Sequence, residues 1–248
     1  MAAGNGLVAV LDALGAKNYT PEEVQRFLNS REVAINATQD KASENLVAFD
    51  PKKFQTFLFN DTIVFVYLDA SLAAIESFCH VMRVFTVLSM TNGILFRGAF
   101  SIGEFFTATN TVMGPALTDA AEWYEKSDWI GIHATPHATI QVSALLEPHP
   151  AGMLDHVLVD YLVPMKDKST RTLKAINWPK GFFIRDVAPR RQSAKSALLG
   201  LLAQHRIPLG TESKYFNSIE FFDTVITKQG LGPNVSATKS RPSAPNHK

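Results

Sequence analysis

Two aspartates stand where this sequence ends its apolar, β-rich runs. Asp12 closes Leu7-Val8-Ala9-Val10-Leu11, and Asp61 lies at the Asn60-Asp61 junction between Phe54–Phe59 and Thr62–Tyr67. A carboxylate at the end of an apolar strand asks for a cation or a proton. Two of them side by side repel unless a divalent ion lies between them. Hard oxygen donors with open coordination positions suit Mg²⁺ or Mn²⁺ shared with a triphosphate. Two such ions per site would lower the pKa of an attacking hydroxyl and neutralise a leaving pyrophosphate. Singly, each residue has an ordinary alternative: a strand-end cap for Asp12, hairpin-turn chemistry for Asp61. Only a fold that makes them neighbours favours the metal.

The elements that must position them follow from pattern. Leu7–Leu11 is a short continuous apolar strand, and a loop from Asp12 to Tyr19 follows it. Thr20, Pro21 and Glu23 then read as N-cap, first helical residue and capping-box acid, with Val24, Phe27 and Leu28 as the buried stripe. That loop, leading into a helix N-terminus, offers backbone N–H groups to phosphates. Residues 32–48 are polar and without clear period, and no element is assigned to them. Residues 54–67 form a hairpin, since Asn-Asp suits a tight turn. A helix spans Ser71 to about Met90, and a strand Ile94–Ile102. A short strand at Val112-Met113 precedes a helix that Gly114-Pro115 opens. A strand at Ile130–Ile132 and a helix from Pro136 to Leu146 complete this part.

The order β, α, β, β, α, β predicts an α+β, ferredoxin-like or palm-like mixed sheet flanked by helices, with the core helices on one face. It sets the end of the first strand beside the hairpin tip. Residues 5–146 are expected to form this core. Residues 147–228 are read as a C-terminal α/β extension, with strands at 157–163 and 181–184 and helices at 194–204 and 215–228. The Gly-, Pro- and Ser-bearing tail, 229–248, is expected to be disordered.

Composition narrows the function classes. A chain of 248 residues, 46% hydrophobic, can bury one sizeable core, and its formal net charge of +1 makes no electrostatic case for nucleic acid or an anionic membrane. One cysteine, Cys79, leaves no disulfide framework or cysteine-rich zinc site. The apolar region 81–102 is interrupted by Arg83, Asn92-Gly93 and Arg97, so no membrane span is expected there. A cytoplasmic protein is the expectation.

Four stretches in order resemble the class III nucleotidyl cyclases: Asp12-Ala13-Leu14-Gly15; Phe59-Asn60-Asp61-Thr62-Ile63-Val64; Arg97-Gly98-Ala99-Phe100-Ser101-Ile102-Gly103; and Gly114-Pro115-Ala116-Leu117. Purine cyclases of that family have a base-selecting lysine four residues before the second metal aspartate, where this chain has Phe57. Their transition-state Asn and Arg correspond to Thr118 and Glu122. With these departures the chain looks most like the bacterial antiphage pyrimidine cyclases of the Pycsar system. The resemblance implies cyclisation of UTP or CTP to a 3′,5′-cyclic nucleotide, with Mg²⁺ or Mn²⁺ as cofactor. It also implies a homodimer with active sites at its interface, and a separate effector that answers the product.

By that resemblance Asp12, the Ala13 carbonyl and Asp61 hold the metals, and Leu14, Gly15, Ala16 and Lys17 cradle the triphosphate. Phe54, Thr56 and Phe57 lie near the base, where an aromatic wall suits stacking; ordinary strand core is the alternative for each. Arg97 is a candidate for phosphate charge stabilisation, or else a residue paired with an acid. Lys214 is a weaker candidate of the same kind. A catalytically inactive cyclase-homology module is the second reading, favoured by Thr118 and Glu122. A palm-type polymerase or diguanylate cyclase is a third, opposed by the missing Gly-Gly-Asp/Glu-Glu-Phe hairpin.

Overall fold

The computed structural model describes residues 2–16, 19–46, 49–183, 194–205 and 207–228. Lys17, Ile184 and the tail 229–248 lie outside them. Eight strands form one mixed sheet: β1 (Ala2–Ala13), β2 (Phe54–Phe59), β3 (Thr62–Tyr67), β4 (Phe96–Ala108), β5 (Thr111–Met113), β6 (Gly131–Ala134), β7 (Leu158–Pro164) and β8 (Thr170–Ile176). Among the described residues six α-helices accompany them: α1 (Pro21–Asn45), α2 (Leu72–Thr91), α3 (Pro115–Tyr124), α4 (Pro136–Leu146), α5 (Ala194–Leu202) and α6 (Glu212–Lys228).

The spatial order is β2-β3-β1-β4-β6-β8-β7, with β5 paired to β4. Its first four strands have the expected ferredoxin-like order, with β1 antiparallel to both β3 and β4. Among the described residues only β4 and β6 run parallel, joined through α3. Alternation along β1 divides the core. Leu7, Ala9, Leu11 and Ala13 join the large cluster that includes residues of α1, α2 and α4. Val8 and Val10 join a smaller one with Phe57, Val64, Val66, Ala116 and Ala120, under α3. The two crossover helices, α1 and α2, share one face, and α3 covers the opposite one. Asp119 of α3 fixes it there, accepting hydrogen bonds from Ser101 Oγ and Thr135 Oγ1, each at 2.6 Å.

Two segments differ from expectation in kind. Residues 32–45, left unassigned, continue α1. Its inner positions there are Ala34, Ile35, Thr38 and Ala42, and small residues make a faint stripe in a sequence. Residues 181–183, expected as strand, belong to a 3₁₀ helix, Trp178–Phe183. The seventh strand's partner is instead β8, a charged, threonine-rich segment. Strands β7 and β8 extend the core sheet itself, through the pairing of His133 with Ala175.

α2 is long and apolar enough to cross a membrane by length and composition. Here it is the central buried helix, with Phe78, Val81, Met82 and Phe85 fully enclosed.

Candidate functional site

The hairpin tip and the end of β1 meet as the topology requires. Asp12 pairs in register with Thr62, and the Ala13 N–H donates to the Asp61 carbonyl at 3.0 Å. Asn60 takes the left-handed conformation, φ 52°, that Asn tolerates in a tight turn. Arg31 of α1 holds this turn from beneath, its Nη1 donating to the Asn60 carbonyl at 2.6 Å. The backbones carrying Asp12 and Asp61 are thus in direct contact.

Across β1 stands Arg97, in register with Asp12 on β4. Its Nε and Nη2 both donate to Asp12 Oδ2, at 3.1 and 2.9 Å. The side chains are 13% and 17% exposed, so this is a largely desolvated pair. The guanidinium lies 5.7 Å from the Tyr124 ring centroid, a cation–π contact from the last residue of α3. Burial, then the nearby Asp12 carboxylate, push the Tyr124 hydroxyl up to about 12.

More charge arrives from later in the chain. Lys166 follows β7, and Lys214 lies in the first turn of α6. Burial lowers the pKa of each; Arg97 and Lys214 lower that of Lys166 further, while for Lys214 Asp128 opposes the shift and Arg97 and Lys168 add to it, with Asp12 acting the opposite way on both. Beside Lys166 a cleft of about 460 Å³ opens, lined also by Trp123, Lys126, Met165, Asp167 and Arg171. On the Asp61 side, burial raises the Tyr19 pKa, followed by Glu23 and Asp61. Tyr19 in turn raises that of Tyr215, after burial. Lys214 and Tyr215, at the N-terminus of α6, are thus within electrostatic reach of Asp12, Arg97 and Tyr19.

The remaining expected residues divide. Leu14 and Ala16 pack against the core, and Gly15 has φ +86°, the turn a glycine permits. The N–H groups of Ala13 and Leu14 are committed, the latter to Leu95 O at 2.8 Å. The helix start is likewise self-capped: Glu23 N–H donates to Thr20 Oγ1, and Thr20 N–H to Glu23 Oε2. Two acids, Glu22 and Glu23, also stand in the first turn of α1. The base-facing trio does not share one surface. Phe54 lies 5.6 and 5.5 Å from Phe49 and Phe65, in the large core. Thr56 meets Gln39 of α1, while Phe57 is buried on the α3 face. Thr118 and Glu122 are exposed on α3; Tyr124 is the helix residue that reaches Arg97.

Tyr19, Tyr124 and Lys166 were not singled out by sequence reasoning. Nothing local distinguishes them, and only long-range packing assembles them.

Oxygen donors of the kind a hard divalent ion takes, two carboxylates, converge in backbone terms on one strand end. A cation already stands against one of them, in the form of Arg97. Among the described residues no group of three acidic, His or Cys side chains could complete a protein-only cage. The set fits an ion that also takes substrate phosphates and water.

No protein-family model matches the sequence, and no curated protein matches it. Among solved structures the chain is similar to the catalytic core of a rhodopsin-guanylyl cyclase with converted specificity in complex with ATPalphaS. That match has 10% identity and a TM-score of 0.46, over 71% of this chain and 96% of that one. An adenylate/guanylate cyclase/hydrolase from Silicibacter pomeroyi is similar at 14% identity and 0.44, over 71% and 96%. A class III adenylyl cyclase-like ATP-binding protein from Pseudomonas aeruginosa is similar at 9% and 0.40, over 93% of this chain and 45% of that one. Likeness of this degree is a partial overlap of chain paths. The functional reading rests on this chain's own residues.

Proposed function

We propose that this protein is a metal-dependent nucleotidyl cyclase that converts UTP or CTP to its 3′,5′-cyclic monophosphate and pyrophosphate. The observation that supports it most is the contact of the Asp61 turn with the end of β1, beside the Asp12–Arg97 pair. Asp12, Asp61 and the Ala13 carbonyl would hold Mg²⁺ or Mn²⁺. When bound, such ions supply Lewis acidity toward the 3′-hydroxyl and the phosphates. Arg97 then has a second task available. With Asp12 neutralised by metal, its guanidinium can turn to the charge that develops on the phosphates, in place of the arginine missing at Glu122. Tyr124 restrains it from the α3 side. Phe57, apolar where purine cyclases keep a lysine, supports a pyrimidine base, and UTP is favoured over CTP.

The rest of the reading follows the resemblance. The enzyme would act in the cytoplasm as a homodimer with active sites at the interface, and its product would signal to a separate effector in antiphage defence. Thr118 and Glu122, exposed on α3, and Met113, half-exposed on β5, offer surface for the second subunit.

The Asp12–Arg97 pair also favours a second reading, an inactive cyclase-homology module that binds nucleotide without turnover, because Arg97 already satisfies a metal ligand. Incubation with each of the four ribonucleoside triphosphates and Mn²⁺ decides between them. Cyclic UMP or cyclic CMP, lost in Asp61→Ala, is the expected result. Preference for ATP or GTP, or activity that survives Asp61→Ala, refutes the pyrimidine cyclase. Nucleotide binding without product, unmoved by metal removal, supports the module.

A further inference from the structure

The cleft beside Lys166 has fixed walls. The C-terminal end of α3 and the turn between β7 and β8 are joined by the Ser127–Met165 bridge. The Lys166 N–H donates to the Lys126 carbonyl at 2.8 Å, and the Asp128 N–H to the Pro164 carbonyl at 2.9 Å. The turn itself is closed by the Met165 N–H on the Ser169 carbonyl at 2.9 Å and the Lys168 N–H on the Met165 carbonyl at 3.0 Å. Between these walls lie about 460 Å³, the size of a small-molecule site and more than a lone inorganic ion needs. Trp123, half-buried, gives the cleft an aromatic face, and Met165 is its other apolar lining residue.

The charges that line it select among ligands. Lys126, Lys166 and Arg171 stand against Glu125 and Asp167, three cations to two acids, which leaves one positive charge in excess. Both acids are engaged. Tyr124 Oη donates to Glu125 at 3.2 Å, and Asp167 accepts from the Ser169 N–H at 2.9 Å and from Ser169 Oγ. Among the described residues neither Lys166 nor Arg171 makes an ion pair. Lys126 Nζ stands 4.8 Å from the Trp123 ring centroid. Such a contact is weak where water reaches the ammonium, so Lys126 holds a place on the indole that a flat ring can take. The released ammonium then adds to Lys166 and Arg171 as a partner for an anion. A heteroaromatic ring carrying one negative charge satisfies this set, whereas a triphosphate brings several charges too many.

Resting on the cyclase reading, we propose that this cleft is a second nucleotide site that binds the cyclic product, a monoanionic phosphodiester, with its base on Trp123 in place of Lys126 and its phosphate held by Lys166 and Arg171. Tyr124, between Trp123 and Glu125 in sequence, lies against Arg97, so an occupied cleft bears on the catalytic pair. The site is placed for feedback by product.

Trp123 makes the test specific. The other two tryptophans, Trp129 and Trp178, are fully buried, so a change in indole emission reports the cleft. Cyclic UMP and cyclic CMP are titrated into the full chain after metal removal on a chelating resin, with emission and calorimetry followed together. At least one should quench the emission and bind. Arg171→Gln and Lys166→Gln should each weaken that binding about tenfold, the loss of one charged hydrogen bond. Both residues are exposed, so both variants should keep the parent's thermal midpoint. Trp123→Leu, read by calorimetry, should weaken it by about as much through lost stacking, and Asp61→Ala should leave it unchanged. UTP and 5′-UMP should bind more weakly than the cyclic nucleotide. No binding of either cyclic nucleotide by the folded parent at millimolar concentration overturns the assignment, as does binding indifferent to Arg171→Gln and Lys166→Gln. Binding lost in Asp61→Ala puts the ligand in the catalytic site and overturns it too, and so does tighter binding of UTP or 5′-UMP. The two readings fail separately. Arg171-dependent binding of a cyclic nucleotide in a protein that turns over no triphosphate refutes the enzyme and leaves the cleft a cyclic-nucleotide site. Turnover whose inhibition by added product ignores Arg171→Gln and Lys166→Gln refutes the feedback site and leaves the enzyme.

Discussion

Replacing Asp12 by Asn and Arg97 by Met, singly and together, measures the pair at the centre of the site. Two donors, at 3.1 and 2.9 Å, converge on the single oxygen Oδ2. A hydrogen bond to a charged partner contributes about 1.5–3 kcal/mol, and a second one to the same oxygen adds less. The side chains are 13% and 17% exposed, so solvent screening removes only part of this. A coupling energy of about 2–3 kcal/mol follows. Breaking the pair from either side leaves one desolvated charge, so each single variant should lose more than half of what the double variant loses. Urea unfolding of the four proteins under metal-free conditions gives the cycle. Mn²⁺ binding, followed by electron paramagnetic resonance, gives an independent readout. Arg97→Met should bind Mn²⁺ more tightly than the parent, because the competing cation is gone, and Asp12→Asn more weakly. A coupling energy below about 0.5 kcal/mol would refute the reasoning, as would Mn²⁺ affinity indifferent to Arg97.

Other outcomes follow from particular contacts. His133 is fully buried, and burial pushes its pKa down to about 4. The unfolded chain, titrating near pH 6.5, then binds more protons than the folded one between those values, so stability is complete above about pH 6.5 and falls as pH drops toward 4, by up to about 3 kcal/mol. His133→Asn should flatten that decline in urea midpoints measured from pH 7 to 4.5, and an unchanged slope would contradict the linkage. Phe221→Ala empties a fully buried position against Trp129, Tyr161 and Trp178 and should cost about 3–5 kcal/mol in chemical denaturation. Gly114 has φ +128°, and an added Cβ would lie 2.8 Å from the Phe105 Cα. Gly114→Ala should therefore cost about 2 kcal/mol or more, read as a lowered thermal midpoint, whereas a neutral effect would show that α3 can start differently.

What the sequence determined by itself was local or strictly periodic. The capping box at Thr20 and Glu23, the Asn60-Asp61 hairpin and the Gly114-Pro115 helix start are each written in a few adjacent residues. The apolar runs of β1, β3 and α2 then limit the arrangement of the first four strands, because each strand buries both faces and admits few neighbours. From that order the meeting of Asp12 with the Asp61 turn was legible. Tertiary structure decided the rest. α1 continues past residue 32 because Ala34, Thr38 and Ala42 need only a small surface to pack on, too faint a stripe to read from the chain. Phe54 and Phe57, three apart on one strand, fall on opposite faces, and only the second lies under α3. Arg97 could have met any acid; the β1–β4 register chose Asp12. Lys166 and Lys214, far along the chain, come within electrostatic reach of Asp12 and Arg97. Charges brought together from 85 and more residues apart leave no periodic trace, since what selects them is packing elsewhere: Phe221 in its aromatic nest, Ser218 on Ile130, Asn217 on Asp128.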